Sequence, residues 1–182
     1  MNTGHVIRRL AGFAADRRGI SAVEFSIMAP LMLTLCLGSF EATQGIALSR
    51  KVTLTTHTLA DLASQYTDIT NADMANILAA GAAIVAPYPN AGMSEVVSEI
   101  AINAQGVATV VWSDTLNGTA LTVGASVSVP SSLAVPNTYL VLAQVQYSYN
   151  PTYGYVMTGT LTLHDQIFMQ PRQSSSIART AS

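Results

Sequence analysis

From Gly19 to Phe40 the chain reads GISAVEFSIMAPLMLTLCLGSF, 22 residues whose single charge is Glu24. About 20 helical residues cross a bilayer core roughly 30 Å thick. The run therefore predicts a membrane-spanning helix over residues 20–40. Arg8, Arg9, Arg17 and Arg18 precede it, and the next cations, Arg50 and Lys51, come well after it. Cationic residues stay on the cytoplasmic side, which places the N-terminus inside and everything after Phe40 outside. Pro30 lies within the span, where it removes one backbone donor and predicts a kink.

The rest of the composition fits a partly membrane-embedded chain. Charged residues make up 10% of the 182 and apolar ones 49%, against roughly 25% charged in soluble domains. That length leaves room for one anchor and one compact domain. Four of the eight cations stand before position 19, so removing residues 1–19 leaves four cations against nine acids, a net −5. Such a body has no basic surface to neutralise phosphates, which argues against nucleic-acid binding. Cys36 is the single cysteine, and His5, His57 and His164 are scattered without ligand spacing; no metal and no cofactor is expected.

Glu24 is the residue a plain anchor does not explain. An acid deep in a membrane helix costs about 2.5–3.5 kcal/mol. Its place near the start of the run allows a bland reading, an acid tolerated at the interface by snorkelling. The sharper reading gives it a partner: a cut after Gly19 creates an amine at Ile20, four residues away on the same helix face. The amine of a neighbouring subunit could meet the same carboxylate and neutralise both charges.

The stretch Arg17-Arg18-Gly19-Ile20-Ser21-Ala22-Val23-Glu24-Phe25 resembles a class III signal, with a basic leader, a glycine before the cut and a glutamate at the fifth mature position. The longer string RRGISAVEFSIMAPLMLTLCLGSFEATQG is similar to the TadE-like pseudopilins of the tight-adherence (Flp, type IVc) pilus system. Gly38 and Glu41 match the start of that family's G-x-x-E-x-G ending, whereas its later glycine is Gly45 here. Near the C-terminus, Phe168-Met169-Gln170-Pro171-Arg172-Gln173-Ser174-Ser175 resembles the family's M-R-P-R-x-S segment, with Gln170 in place of an arginine. The resemblance implies a leader (1–19) with Arg17 and Arg18 as its charges, removed by a prepilin peptidase between Gly19 and Ile20. It also implies Glu24 as the acid that sets helix registry during assembly. The partners it implies are other pilin or pseudopilin subunits and the inner-membrane assembly platform.

Two other N-terminal readings are weaker. A general secretory signal could be cut after Gly38, leaving a soluble secreted domain that starts at Ser39, but Glu24 and the long preceding region oppose it. A lipoprotein signal fails because Leu35, not a small residue, precedes Cys36.

Beyond the span, Glu41 to about Gln65 has few breakers and carries Ile46, Leu48, Val52, Leu59, Leu62 and Ala63. This predicts that the anchor continues as one long helix. Thr53, Thr55, Thr56 and Thr58 lower its propensity, so packing of its apolar stripe must support it. Thr70, with Asp73 three residues on, reads as the cap of a second helix running to about Ala86, ended by Pro87-Tyr88-Pro89. Val97–Asn103 and Gly106–Ser113 read as paired strands, Thr119–Val129 as a weak strand, Tyr139–Tyr149 as the strongest strand and Thr158–Ile167 as a further strand or turn. The expected architecture is α+β and pilin-like: a long N-terminal transmembrane helix (20–40) continuing into a periplasmic domain (41–172) with a second helix and a small antiparallel sheet. Residues 173–182 read as a mobile polar tail.

Catalytic signatures are missing: there is no G-x-S-x-G, P-loop, H-E-x-x-H or Cys–His pair. His57 and Asp61 share an i, i+4 spacing that suits a surface helix contact, and His164-Asp165 points to opposite faces of a strand. Tyr147, Tyr149, Tyr153 and Tyr155 form a candidate contact surface, or else a core strand with hydroxyls at its rim. The chain thus reads as a non-enzymatic pilus component, single-pass in the inner membrane with its C-terminal domain periplasmic, and in reach of the extracellular pilus. An adhesin-like binding module, tethered or secreted, is the alternative.

Overall fold

The computed structural model describes residues 18–150 and 159–180. Arg17, Tyr153 and Tyr155 lie outside the described residues. The fold is α+β, as expected, with a long apolar N-terminal helix, a second helix and a small antiparallel sheet.

Helix α1, Arg18–Ser64, is 47 residues long, about 70 Å at 1.5 Å per residue. It continues through Pro30, which leaves the Ser26 carbonyl without its i+4 donor. From Glu41 onward one face of α1 is buried, through Leu48, Val52, Leu59 and Ala63. Ile46, expected on that face, is exposed: two residues from Leu48 it sits about 200° around the axis. Thr55 and Thr56, read only as weak helix formers, are fully buried, and Thr56 bonds its own helix at the Val52 carbonyl, 2.9 Å away. At the C-terminus of α1 the Arg172 amide donates to the Ser64 carbonyl at 2.8 Å, occupying one of the acceptors a helix end leaves open.

A short strand β1, Asp68–Ile69, leads to α2, Asn71–Val85. Thr70 is its cap, as the sequence predicts: Thr70 Oγ1 accepts from the Asp73 amide at 3.2 Å while the Asp73 carboxylate accepts from the Thr70 amide at 3.1 Å. This reciprocal pair satisfies two of the helix's orphan donors. At the other end, the Lys51 ammonium of α1 donates to the carbonyls of Ile84 and Ala86. A cation there complements the helix dipole and ties α2 to α1.

The main sheet has the order β3-β2-β4-β5 and is antiparallel throughout. Its strands are β2 (Met93–Ile102), β3 (Ala108–Leu116), β4 (Thr138–Tyr149) and β5 (Leu161–Met169). One face packs on the helices: Val97, Trp112, Val141, Ala143, Val145 and Tyr147 join Leu48, Val52 and Leu59 in the larger core. The other face forms a smaller core of Ile100, Ile102, Val110, Leu140 and Leu142. A bulge sets this division on β3. Glu99 opposes Trp112 but Ile100 opposes Val110, so Val111 has no opposite residue. The extra residue turns Trp112 toward the helices and Val110 away from them.

Two expectations need correction. Thr119–Val129 is not a strand; it makes one bridge, Thr109 to Ser126. Its backbone follows β3 irregularly, with Gly124 donating to Val110 and Val127 to Ala108. Gly124 at φ +82° and Pro130 break the regular pairing, and the segment covers the β3 edge. Nor is the C-terminal segment a mobile polar tail. Ile177 is fully buried, and β6, Ala178–Arg179, pairs in parallel with β1. Arg179 grips Asp114 through two bonds of 2.8 and 3.2 Å. One apolar side chain and one fork-shaped cation are enough to dock a segment that is otherwise small and polar.

Candidate functional site

The first half of α1 offers the surface that sets this chain apart. Val23, Phe25, Ile27, Met32 and Leu35 are all exposed, at 60–72% of their full area. They project on every side of the helix, since successive residues stand about 100° apart. A helix apolar all round belongs in lipid or in a bundle of like helices. Its most apolar stretch, with a mean hydropathy of 1.9, has none of its residues buried in the protein. Three hydroxyls along it and just past it bond to their own helix. Thr34 donates to the Pro30 carbonyl, Ser39 to Cys36 and Thr43 to Ser39, each at 2.8 Å. Internal bonding of this kind keeps hydroxyls cheap in an apolar medium.

The predicted site residues lie at the start of this surface. Arg18 opens α1 and Gly19, Ile20 and Glu24 follow on it, the last three exposed. Ile20 and Glu24 share one face, one helical turn apart. Among the described residues, no side chain or backbone of another element comes within 4 Å of where a Cβ on Gly19 would stand.

The tyrosine cluster resolves differently. Tyr147 and Tyr149 are buried on β4, and Tyr147 donates to the Pro89 carbonyl at 2.9 Å. Tyr88 meets Tyr147 edge to face, with centroids 6.5 Å apart, and donates to Gln44 Oε1 at 2.6 Å. Burial raises the phenol pKa of both Tyr147 and Tyr149, with the neighbouring Tyr88 adding to it. These two tyrosines are core residues whose rims line a cleft of about 560 Å³ with Phe40 and Gln44.

The remaining candidates stay apart. Asp61 pairs with Arg172 at 2.5 Å and accepts from Gln65 at 2.9 Å, while His57 lies beside them at the rim of a shallow cleft. His164 is exposed on β5 opposite Gln146, and Asp165 is opposite Val145. Among the described residues no three His, Cys, Asp or Glu side chains gather as metal ligands would.

The burial of three acids escaped the sequence reading: Glu41, Glu95 and Glu99. Glu99 accepts from the Ile177 amide at 2.6 Å, and Trp112 donates to the Ile177 carbonyl at 2.8 Å, so both hold the C-terminal segment. Burial raises the Glu99 carboxyl, opposed by its hydrogen bonds from Ile177 and Trp112. The available signal was phase: Glu95 and Glu99 alternate in step with Val97, which puts them on the apolar face of β2.

Residues 19–61 match the family model of TadE-like proteins. That stretch of the chain is TadE-like. The match runs from the proposed cut, along the exposed apolar half of α1, into the half embedded in the domain. The sheet lies beyond it. TadE-like proteins belong to Tad pilus systems and are structural rather than catalytic. No curated protein and no solved structure matches this chain.

Proposed function

We propose that this protein is a minor pilin or pseudopilin that takes part in assembling or initiating a tight-adherence type IVc pilus. A prepilin peptidase cuts the basic leader between Gly19 and Ile20. The protein then spans the inner membrane once, N-terminus in the cytoplasm and domain in the periplasm. Its apolar half-helix packs against other pilin or pseudopilin helices and the assembly platform, and Glu24 meets an Ile20 amine to set their register. The supporting observation is the family match centred on a helix that is apolar on all sides and carries one acid a turn from the proposed new N-terminus.

N-terminal sequencing of the membrane-fraction protein tests this directly. The expected first residue is Ile20; a start at Met1 or at Ser39 overturns the reading. In the same strain Glu24→Ala leaves cleavage intact and impairs piliation, and normal piliation in that variant removes the registry role.

A further inference from the structure

At the junction of α1, α2 and β2 lies a polar group the anchor does not use. Glu95 is fully buried, and neither carboxylate oxygen has a hydrogen-bond partner among the described residues. Beside it Thr55 of α1 is also fully buried, with its hydroxyl unpartnered. Both side chains converge on Gly81 of α2: a Cβ there would overlap Glu95 Oε1 and stand 3.0 Å from the Thr55 methyl. The absent side chain at Gly81 is what allows the carboxyl to sit between the two helices. Three orphan polar atoms so close together depart from the near-complete satisfaction of buried groups.

The surrounding charges are engaged elsewhere. On α1, Lys51 is held by the carbonyls of Ile84 and Ala86 and Asp61 by Arg172. Glu41 stands 14 residues up α1 from Thr55, about 21 Å along the axis. On α2 the single acid is Asp73, in its cap. On β3, Asp114 pairs with Arg179, and on β2, Glu99 takes the Ile177 amide. Strand β4 carries no Asp, Glu, Lys, Arg or His, and its Tyr147 hydroxyl is bonded to Pro89. An unpaired carboxylate in such a site is strongly disfavoured, so the group stays neutral by keeping its proton.

We propose that Glu95 is a proton-operated latch, holding α2 against α1 while its carboxyl is neutral and loosening α2 when it ionises. Because α1 continues into the apolar half-helix, the latch sets how firmly the domain grips its own anchor. Burial raises the Glu95 carboxyl from 4.5 to about 7, above its value in the opened or unfolded chain. Its contribution is therefore complete below about 4.5 and is lost as pH rises through about 7.

The test is hydrogen exchange of the full chain in detergent at pH 5 and pH 8, with rates corrected for intrinsic exchange. In the wild type, protection across α2 falls on the order of 100-fold between the two, while β4 holds its protection. Glu95→Gln, neutral at both pH values, shows no such fall. Equal protection at both pH values in the wild type overturns the latch, and so does a Glu95→Gln variant that loses as much as the wild type. An equal loss in β4 and α2 also overturns it, because the response is then global. A second measurement needs no variant. Carbon-13 carboxyl resonances of the wild type should include one glutamate titrating near neutrality in step with α2 protection; glutamates that all titrate in the ordinary range overturn the proposal.

Discussion

The two halves of α1 share one continuous helix and meet opposite fates. Between Gly19 and Phe40 large apolar side chains project on every side and are exposed. Between Glu41 and Ser64 apolar residues form one stripe, Leu48, Val52, Leu59 and Ala63, which is buried, while Arg50 and His57 face outward. The backbone does not distinguish them. What differs is the distribution around the axis, and that distribution selects the solvent: an all-round apolar surface calls for lipid or other helices, a single stripe for a folded domain. The family match crosses this boundary without a break, so it covers the join between anchor and domain as well as the anchor.

The comparison breaks most sharply at two leucines of nearly equal exposure, Leu33 at 62% and Leu54 at 56%. If the first half lies in a membrane, Leu33→Arg raises its insertion free energy by about 3–4 kcal/mol and depletes the protein from the membrane fraction. Leu54→Arg changes stability by no more than about 0.5 kcal/mol and stays membrane-bound. Equal partitioning of the two variants removes the distinction between the halves. Next in size is a pair of truncations read by denaturant unfolding in detergent. Leu59→Ala, at a fully buried position, costs the domain about 3 kcal/mol through lost burial and the cavity left behind. Leu33→Ala leaves the domain transition where it was. A shift of equal size at Leu33 would mean that the apolar half also packs on the domain.

Much of this was legible in the sequence, for local physical reasons. The run from Gly19 to Phe40 announces a long apolar helix by composition alone, and Thr70 with Asp73 announces α2 through a self-contained hydrogen-bond pattern. On β4 the alternation of Gln144, Gln146 and Ser148 with Val145, Tyr147 and Tyr149 marks one face for the core, and Val145, Tyr147 and Tyr149 are buried. What stayed hidden depends on partners distant in sequence. The β3 bulge is visible only once β2 is aligned beside it, since Val110, Val111 and Trp112 read alike as strand formers. Ile177 sits among serines and alanines, and only the Trp112 and Glu99 side chains waiting for its backbone make it a core residue. Glu95 was passed over because an acid in a strand is ordinarily assigned to the solvent face. Glu24 and the Gly19–Ile20 bond stood out because their chemistry is local to the helix.

The smallest expected effect concerns the support that α2 gives the embedded half of α1. Thr70→Ala removes the cap hydroxyl that accepts from Asp73 and costs about 1 kcal/mol, seen as a lower denaturation midpoint with membrane partitioning unchanged. The same substitution alters the response to acid. Bonds from the Thr70 side chain and backbone hold the Asp73 carboxyl below its ordinary 3.8, so its stabilisation is present above that value and is lost as pH falls through the lowered one. In Thr70→Ala this acid-side loss shrinks, because the larger of the two lowering contacts is gone. Glu95 works with the opposite sign, losing its contribution as pH rises. Helix α2 is therefore bounded by an acid limb at its N-terminal cap and an alkaline limb at Gly81. A pH–stability profile of the wild type should show both limbs, Thr70→Ala should weaken the first and Glu95→Gln should remove the second. The apolar half of α1 should follow neither, and a membrane-partition profile that tracks either limb would show that the two halves are coupled.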